Sequence, residues 1–359
     1  MKRLARLGMS CLLLMLAGCD MVVMNPTGDI AIQQRDLILI ATGLMLLIIV
    51  PVMALTVLFA WRYRASNRKA TYDPKFDHSM SLELVIWACP LLIIICLGAV
   101  TWSSTHLLDP FRPLDRIAPG KPVPPGTRPL EIQVVAMDWK WLFIYPEQGV
   151  AAVNELVLPV NVPVRFLITS STQMNTFYAP TLAGMIYAMP GMRSELNAVL
   201  NEPGDSMGYS ANYTGAGFSH MRFRLRGVDQ AGFDGWVQQA RSGGPLGQTE
   251  YLALDRPSER VPVTRFGSVQ DGLFDRAVNQ CVEPGRPCAA EVMARDMERV
   301  RGGGGHASHG GMSMPPSHGG THGSPPTPAL LREPEEKGSG PNITAPPGPT
   351  GPGQPTPHN

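Results

Sequence analysis

Charged side chains are scarce. Asp, Glu, Lys and Arg make up 16% of the 359 residues, against roughly 25% in an average soluble domain. The formal balance is close to neutral, at +1, so there is no basic excess to attract a nucleic-acid backbone. No Ser-His-Asp set, phosphate-binding loop or dinucleotide fingerprint stands out, and the chain carries no complete active site of its own. The six cysteines do not form one framework. Cys11 and Cys19 belong to the N-terminal leader region, and Cys89 and Cys96 to an apolar run. Only Cys281 and Cys288 remain, with a turn-favouring Pro284-Gly285 between them. A disulfide suits that pair in an oxidising compartment. Metal binding by two cysteines with no histidine nearby is the weaker alternative.

Long apolar runs take up what charge leaves. Lys2, Arg3 and Arg6 precede the apolar Leu7–Leu16, the layout of a secretory leader. Leu16-Ala17-Gly18-Cys19 resembles a bacterial lipobox, which implies lipidation of Cys19; the alternative is a signal anchor with a chance cysteine. Asp20, directly after that position, is associated in such lipoproteins with retention in the inner membrane. Leu37–Trp61 and Leu82–Trp102 each reach the length of about 20 apolar residues needed to cross a bilayer. Pro51 and Pro90 inside them are tolerated where neighbouring helices cover the freed carbonyls. The segment between carries Arg62, Arg64, Arg68, Lys69 and Lys75 against Asp73 and Asp77. The positive-inside rule places it in the cytoplasm and both flanks in the periplasm.

Beyond the Pro-rich stretch 118–126 the pattern shortens to strands. Glu131–Met137 and Trp139–Tyr145 are rich in aromatic and β-branched residues. Val164, Phe166 and Ile168 alternate with Arg165, Leu167 and Thr169, which predicts a strand with one buried face. Leu156–Leu158, Arg193–Leu200 and Arg222–Leu225 add further candidates, and such spacing suggests an all-β sandwich or barrel. Phe233, Trp236, Val237 and Ala240 fall on one face of a helix. Residues 302–359 are rich in Gly, Pro, Ser and His, a composition that predicts a solvated disordered tail. Weak copper or nickel binding by His306, His309, His318, His322, Met312 and Met314 is the alternative.

Met137-Asp138-Trp139-Lys140-Trp141, Tyr145-Pro146-Glu147-Gln148-Gly149, Met174-Asn175-Thr176-Phe177 and Met189-Pro190-Gly191-Met192 carry a resemblance to subunit II of the haem–copper respiratory oxidases, over roughly residues 19–300. The cytochrome c branch of that family binds a two-copper centre with Cys-x-Glu-x-Cys-x3-His-x2-Met and an earlier His. Here the Cys positions are Asn212 and Ala216, the Glu is Thr214, the Met is Phe223 and the earlier His is Asn175; only His220 matches. A thiolate-bridged copper pair needs sulfur ligands. The resemblance therefore points to the quinol-oxidase branch, with no metal in this subunit and His220 as a barrel-surface or interface residue. Trp139 and Trp141 become core or subunit-contact residues.

The family fold implies a two-helix transmembrane hairpin, an all-β cupredoxin-like Greek-key barrel and a C-terminal helical arm. The corresponding divisions are a leader at 1–18, an anchored hairpin at 19–110, a linker at 111–129, a periplasmic domain at 130–245, an arm at 246–301 and the tail at 302–359. The resemblance further implies haems and one copper in subunit I, membrane lipids and other oxidase subunits as partners, and ubiquinol as the substrate of a proton-translocating complex in the bacterial inner membrane. Glu83, in Glu-x3-Trp-x2-Pro, matches a family residue at the mouth of a proton channel; the alternative is an interfacial anion favoured by the helix dipole. Two other readings stand beside this one: a cytochrome c oxidase subunit with a working copper centre, and a non-enzymatic membrane-anchored metal-binding protein of the periplasm.

Overall fold

The computed structural model describes residues 21–70 and 78–302. Cys19, the leader, Asp73, Lys75, Asp77 and the tail from residue 303 lie outside the described residues. Two long helices come first, α1 (Asp29–Arg62) and α2 (Met80–Leu107). Both are long and apolar enough to cross a membrane, since 34 residues of α-helix span about 51 Å against a hydrocarbon core of about 30 Å. Their apolar side chains, Leu47, Val57, Trp87 and Ile94 among them, face outward, as lipid or neighbouring helices require. The β domain adjoins the start of α1 and the end of α2. Arg62, Arg64, Arg68 and Lys69 thus sit at the opposite end of the hairpin.

The strands are β1 (Arg116–Ala118), β2 (Lys121–Pro122), β3 (Leu130–Met137), β4 (Lys140–Tyr145), β5 (Val150–Val153), β6 (Glu155–Pro159), β7 (Pro163–Ser170), β8 (Asn175–Tyr178), β9 (Ile186–Ala188), β10 (Ser194–Val199), β11 (Gly204–Ser210), β12 (Arg222–Val228), β13 (Gly244–Leu246) and β14 (Thr264–Val269). A seven-stranded sheet runs β10-β7-β3-β4-β5-β14-β13, and a five-stranded sheet runs β6-β12-β11-β8-β9. β1 and β2 pair alone, within the Pro-rich stretch. The helices after the hairpin are α3 (Gln230–Arg241), α4 (Gln248–Asp255), α5 (Leu273–Val278) and α6 (Ala289–Gly302). This is the β-rich, cupredoxin-like domain the motifs implied, with two apolar helices before it and a helix-bearing arm after it.

Strand periodicity explains the layering. Trp141, Phe143 and Tyr145 of β4 point between the two sheets, while Leu142 and Ile144 point to the other face, against Tyr251 of α4 and Leu273, Phe274 and Ala277 of α5. Alternate residues of a strand face opposite sides, so a sheet covered on both sides buries every position. That corrects the expectation of a single buried face at 163–170: Leu167 and Thr169 are as deeply buried as Val164 and Phe166. β4 begins at Lys140, not Trp139. The arm also contributes β14, which pairs with β5, and is thereby built into the sheet. Phe233, Trp236, Val237 and Ala240 of α3 join the inner core, as their helical spacing predicts. Cys281 and Cys288 form a disulfide between α5 and α6.

Two buried charges tie these layers together. Glu155 is 3% exposed. It accepts hydrogen bonds from Arg265 Nε (2.8 Å) and Nη2 (3.1 Å), Arg226 Nη1 (3.3 Å) and Trp236 Nε1 (3.0 Å), joining β6 to β14, β12 and α3. Lys140 is 1% exposed. Its three ammonium hydrogens serve the carbonyls of Asp138, Leu254 and Arg256 at 2.6–2.9 Å, which ties β4 to the C-terminal end of α4. Burial pushes the Lys140 ammonium below its ordinary value, against the pull of Asp255 and Asp138.

Burial alone would raise the Glu155 carboxyl, but Arg265, Trp236 and Arg226 together hold it below the ordinary 4.5. A depressed carboxyl stabilises the fold above its unfolded pKa, and that contribution is lost as the pH falls through the folded value. Glu155→Gln should therefore destabilise the protein by about 3 kcal/mol at neutral pH. The difference from wild type should shrink as the medium is acidified below 4.5. Thermal unfolding of the detergent-solubilised protein across pH checks this; a pH-independent difference would show that shape, not charge, is what Glu155 supplies.

Candidate functional site

The residues that the resemblance matches to the copper loop come together at one end of the barrel. Asn175 opens β8, Asn212, Thr214 and Ala216 lie between β11 and β12, His220 ends a short turn, and Phe223 sits in β12. Asn175 is buried; its amide donates to the Gln173 carbonyl at 3.1 Å, and its oxygen accepts from Ser210 Oγ at 3.2 Å. Asn212 Nδ2 donates to the Met174 carbonyl at 3.0 Å. The Thr214 carbonyl accepts from Trp139 Nε1 at 2.7 Å and Gln173 Nε2 at 3.0 Å. Asp138 Oδ1 accepts from Thr172 Oγ1 at 2.8 Å and Gln173 Nε2 at 3.0 Å. The two loops are thus bridged by amide, hydroxyl and indole hydrogen bonds.

Phe223 shows why no ligand can stand at its position. It is buried, stacks on Phe177 with ring centres 5.3 Å apart, and meets Trp141 and Phe143 edge-on. Such aromatic pairs contribute about 0.5–1.5 kcal/mol each beyond area burial. Ala216 is exposed and offers no donor atom. His220 is exposed, and its Nε2 lies 3.1 Å from Arg260 Nη2, a guanidinium that competes with any cation. The donor set holds no thiolate, and among the described residues no group of three His, Cys, Asp or Glu is placed to hold a metal. These residues do not fit a bridged copper pair. Trp141 is core, and Trp139 is half-buried and packs on it.

Glu83 lies far from this end, in the first turn of α2 on the side of the basic segment. Its Oε1 is 2.6 Å from His78 Nδ1, and both side chains are exposed. The Glu-x3-Trp-x2-Pro pattern did not flag His78, although a histidine five residues before a carboxylate at a helix start is a readable signal. Glu155 was also missed. A lone Glu in Asn154-Glu155-Leu156-Val157 looks like an exposed strand residue until α3 and β14 fold over it.

Comparisons with known proteins agree with this geometry. Residues 146–228 match the family described as cytochrome c oxidase subunit II, periplasmic domain, and residues 241–285 match the COX aromatic rich motif. The chain is 46% identical over 293 residues to the cytochrome bo(3) ubiquinol oxidase subunit 2 of Pseudomonas putida, covering 81% of this chain and 90% of that protein. It is 46% identical over 277 residues to the ubiquinol oxidase subunit 2 of Acetobacter aceti, covering 77% and 88%. With the quinol oxidase subunit 2 of Bacillus cereus it shares 36% over 259 residues, covering 71% and 86%.

The stack of Phe223 on Phe177 depends on a glycine opposite. A Cβ at Gly208 would come within 1.9 Å of Phe223 Cζ. Gly208→Ala should therefore cost about 1–3 kcal/mol through overpacking, seen as a lowered unfolding temperature. Combining it with Phe223→Leu should recover part of the loss, whereas additive losses would contradict this packing.

Proposed function

Because the chain belongs to the subunit II family of the haem–copper oxidases, among quinol-oxidase relatives, we propose that it is the metal-free subunit II of a proton-translocating ubiquinol oxidase. It is a quinol-oxidase subunit within an oxidoreductase complex, with other oxidase subunits as partners and two apolar helices that suit membrane anchoring. The observation that carries the finer reading is the bridged loop. Asn175, Asn212 and the Trp139–Thr214 hydrogen bond hold it together at the positions where the cytochrome c branch has metal ligands. Electrons from ubiquinol then reach oxygen through haems and a copper held in subunit I, and this subunit supports assembly without carrying electrons. A working copper centre lacks its thiolates, and a free-standing metal-binding protein of the periplasm does not match the relatives.

Placement follows the same reading. The protein lies in the bacterial inner membrane with its β domain in the periplasm, and a lipid on Cys19 adds a second attachment. Glu83 then sits at the cytoplasmic surface, beside His78. A carboxylate paired with an imidazole there can collect protons and hand them to a water-filled path in subunit I.

The purified complex should contain a haem-bearing partner and should lack the near-infrared absorption of a mixed-valence copper pair. Two copper atoms bound at the Asn175/His220 end would overturn the assignment.

Turnover per haem should fall further for Glu83→Ala than for Glu83→Asp, with assembly unchanged in both. A positioned proton-transfer group typically contributes on the order of 10²–10⁴-fold, and for Glu83→Ala a loss toward the lower end of that range is expected. Equal normalised turnover in wild type and both variants would reduce Glu83 to a helix-end anion.

A further inference from the structure

We propose that the notch where the two membrane helices meet the β domain binds a periplasmic-leaflet phospholipid with a primary ammonium headgroup, of the phosphatidylethanolamine kind. The proposal rests on the membrane reading given above. The notch is a cavity of about 270 Å³ between the first turns of α1, the segment after α2, and the Gly184–Met185 and Leu196–Asn197 edges of the β domain. A second, more apolar and shallower groove of about 470 Å³ lies along the helices, with Leu37, Ile40, Ala99 and Val100 on its apolar side and Asp36, Ser103 and Ser104 on its polar side. The two share Gln33, Leu107 and Leu108. A polar chamber at the end of the membrane spans, opening onto a more apolar groove along them, has the layout of a headgroup and an acyl chain.

The chemistry of the chamber narrows the headgroup. Asp29 forms part of its wall and is 1% exposed. Its Oδ2 accepts from Arg116 Nε at 2.9 Å and Gln33 Nε2 at 2.8 Å, but its Oδ1 is buried with no hydrogen-bond partner. A buried carboxylate oxygen without a donor is unfavourable, and an ammonium supplies compact donors of the opposite charge. Arg112 and Arg116, also in the wall, are paired with Asp115 and Asp29 respectively, and their remaining guanidinium hydrogens can donate to a phosphate. With Asp109 and Asp115 beside Asp29, three carboxylates and two guanidinium groups line one chamber, and both signs of charge suit a zwitterion whose ammonium adds the missing cation. A trimethylated ammonium, as in phosphatidylcholine, has no hydrogen to donate to Asp29.

Photo-crosslinking on the intact complex tests this. The complex is reconstituted with phosphatidylethanolamine or phosphatidylcholine carrying a diazirine near the glycerol, and adducts are mapped by mass spectrometry. Phosphatidylethanolamine should label the 107–116 peptide about tenfold more than phosphatidylcholine, the worth of one charge-assisted hydrogen bond. Asp29→Asn should erase that preference, and Arg112→Gln should lower labelling by both lipids, with turnover per haem unchanged. Equal labelling by the two lipids, labelling indifferent to both substitutions, or crosslinks showing a neighbouring subunit's side chain in the notch would each overturn the proposal. Absence of haem from the preparation would instead sink the oxidase reading, leaving the lipid measurement interpretable.

Discussion

Burying a carboxylate is tolerable only where hydrogen-bond donors replace its water, and Glu155 imposes that requirement on three elements at once. Arg226 comes from the same five-stranded sheet, Trp236 from the helix that closes the inner core, and Arg265 from the arm. Each must reach the end of β6 for the charge to be satisfied. The arm's position is therefore a condition of the barrel's own electrostatics. Lys140 repeats the arrangement with opposite sign, presenting three hydrogens to three carbonyls. Apolar packing of Tyr251, Leu273 and Phe274 supplies the bulk of the attachment, and the two charges set its register.

The end of the barrel around Asn175 and His220 follows a related logic. Its two loops are joined by directional hydrogen bonds, and an aromatic stack holds Phe223 in the core. A thiolate-bridged copper pair needs sulfur ligands. Asn175 and Asn212 supply none, and their amide groups donate to the Gln173 and Met174 carbonyls instead. The loop thus does not fit a bridged copper pair, and its two sides are joined by the protein's own hydrogen bonds. The barrel meets the two-helix hairpin at a definite angle.

That angle is set at the junction of hairpin and barrel. The backbone N–H groups of Thr27 and Gly28 both donate to the Thr181 carbonyl at 2.9 Å, and Asn201 N donates to the Thr27 carbonyl at 2.8 Å. A Cβ on Gly28 would lie 2.7 Å from the carbonyl oxygens of Leu182 and Val199, so only glycine permits so close an approach. The Arg116–Asp29 pair then fastens the first turn of α1 to the chain that leaves α2. Both long apolar helices are thus held at the same end of the barrel.

Much of this protein was legible in its residues alone. The two long apolar helices follow from length and hydropathy, the face of α3 from the spacing of Phe233, Trp236, Val237 and Ala240, and the lack of thiolates in the 212–216 loop from the identities of Asn212 and Ala216. Each depends on local periodicity or on side-chain chemistry, which a sequence displays directly. The strands at 204–210 and 264–269 were not foreseen, because Gly-Asp-Ser-Met-Gly-Tyr-Ser and Thr-Arg-Phe-Gly-Ser-Val carry little alternation and become strands only beside their neighbours. The partners of Glu155, Lys140 and Asp29 were likewise hidden. Arg265 is 110 residues from Glu155, Arg256 is 116 from Lys140, and Arg116 is 87 from Asp29. Contacts over such separations are decided by how the sheets and the arm close on one another, and only the tertiary structure brings a buried charge to the groups that make its burial possible.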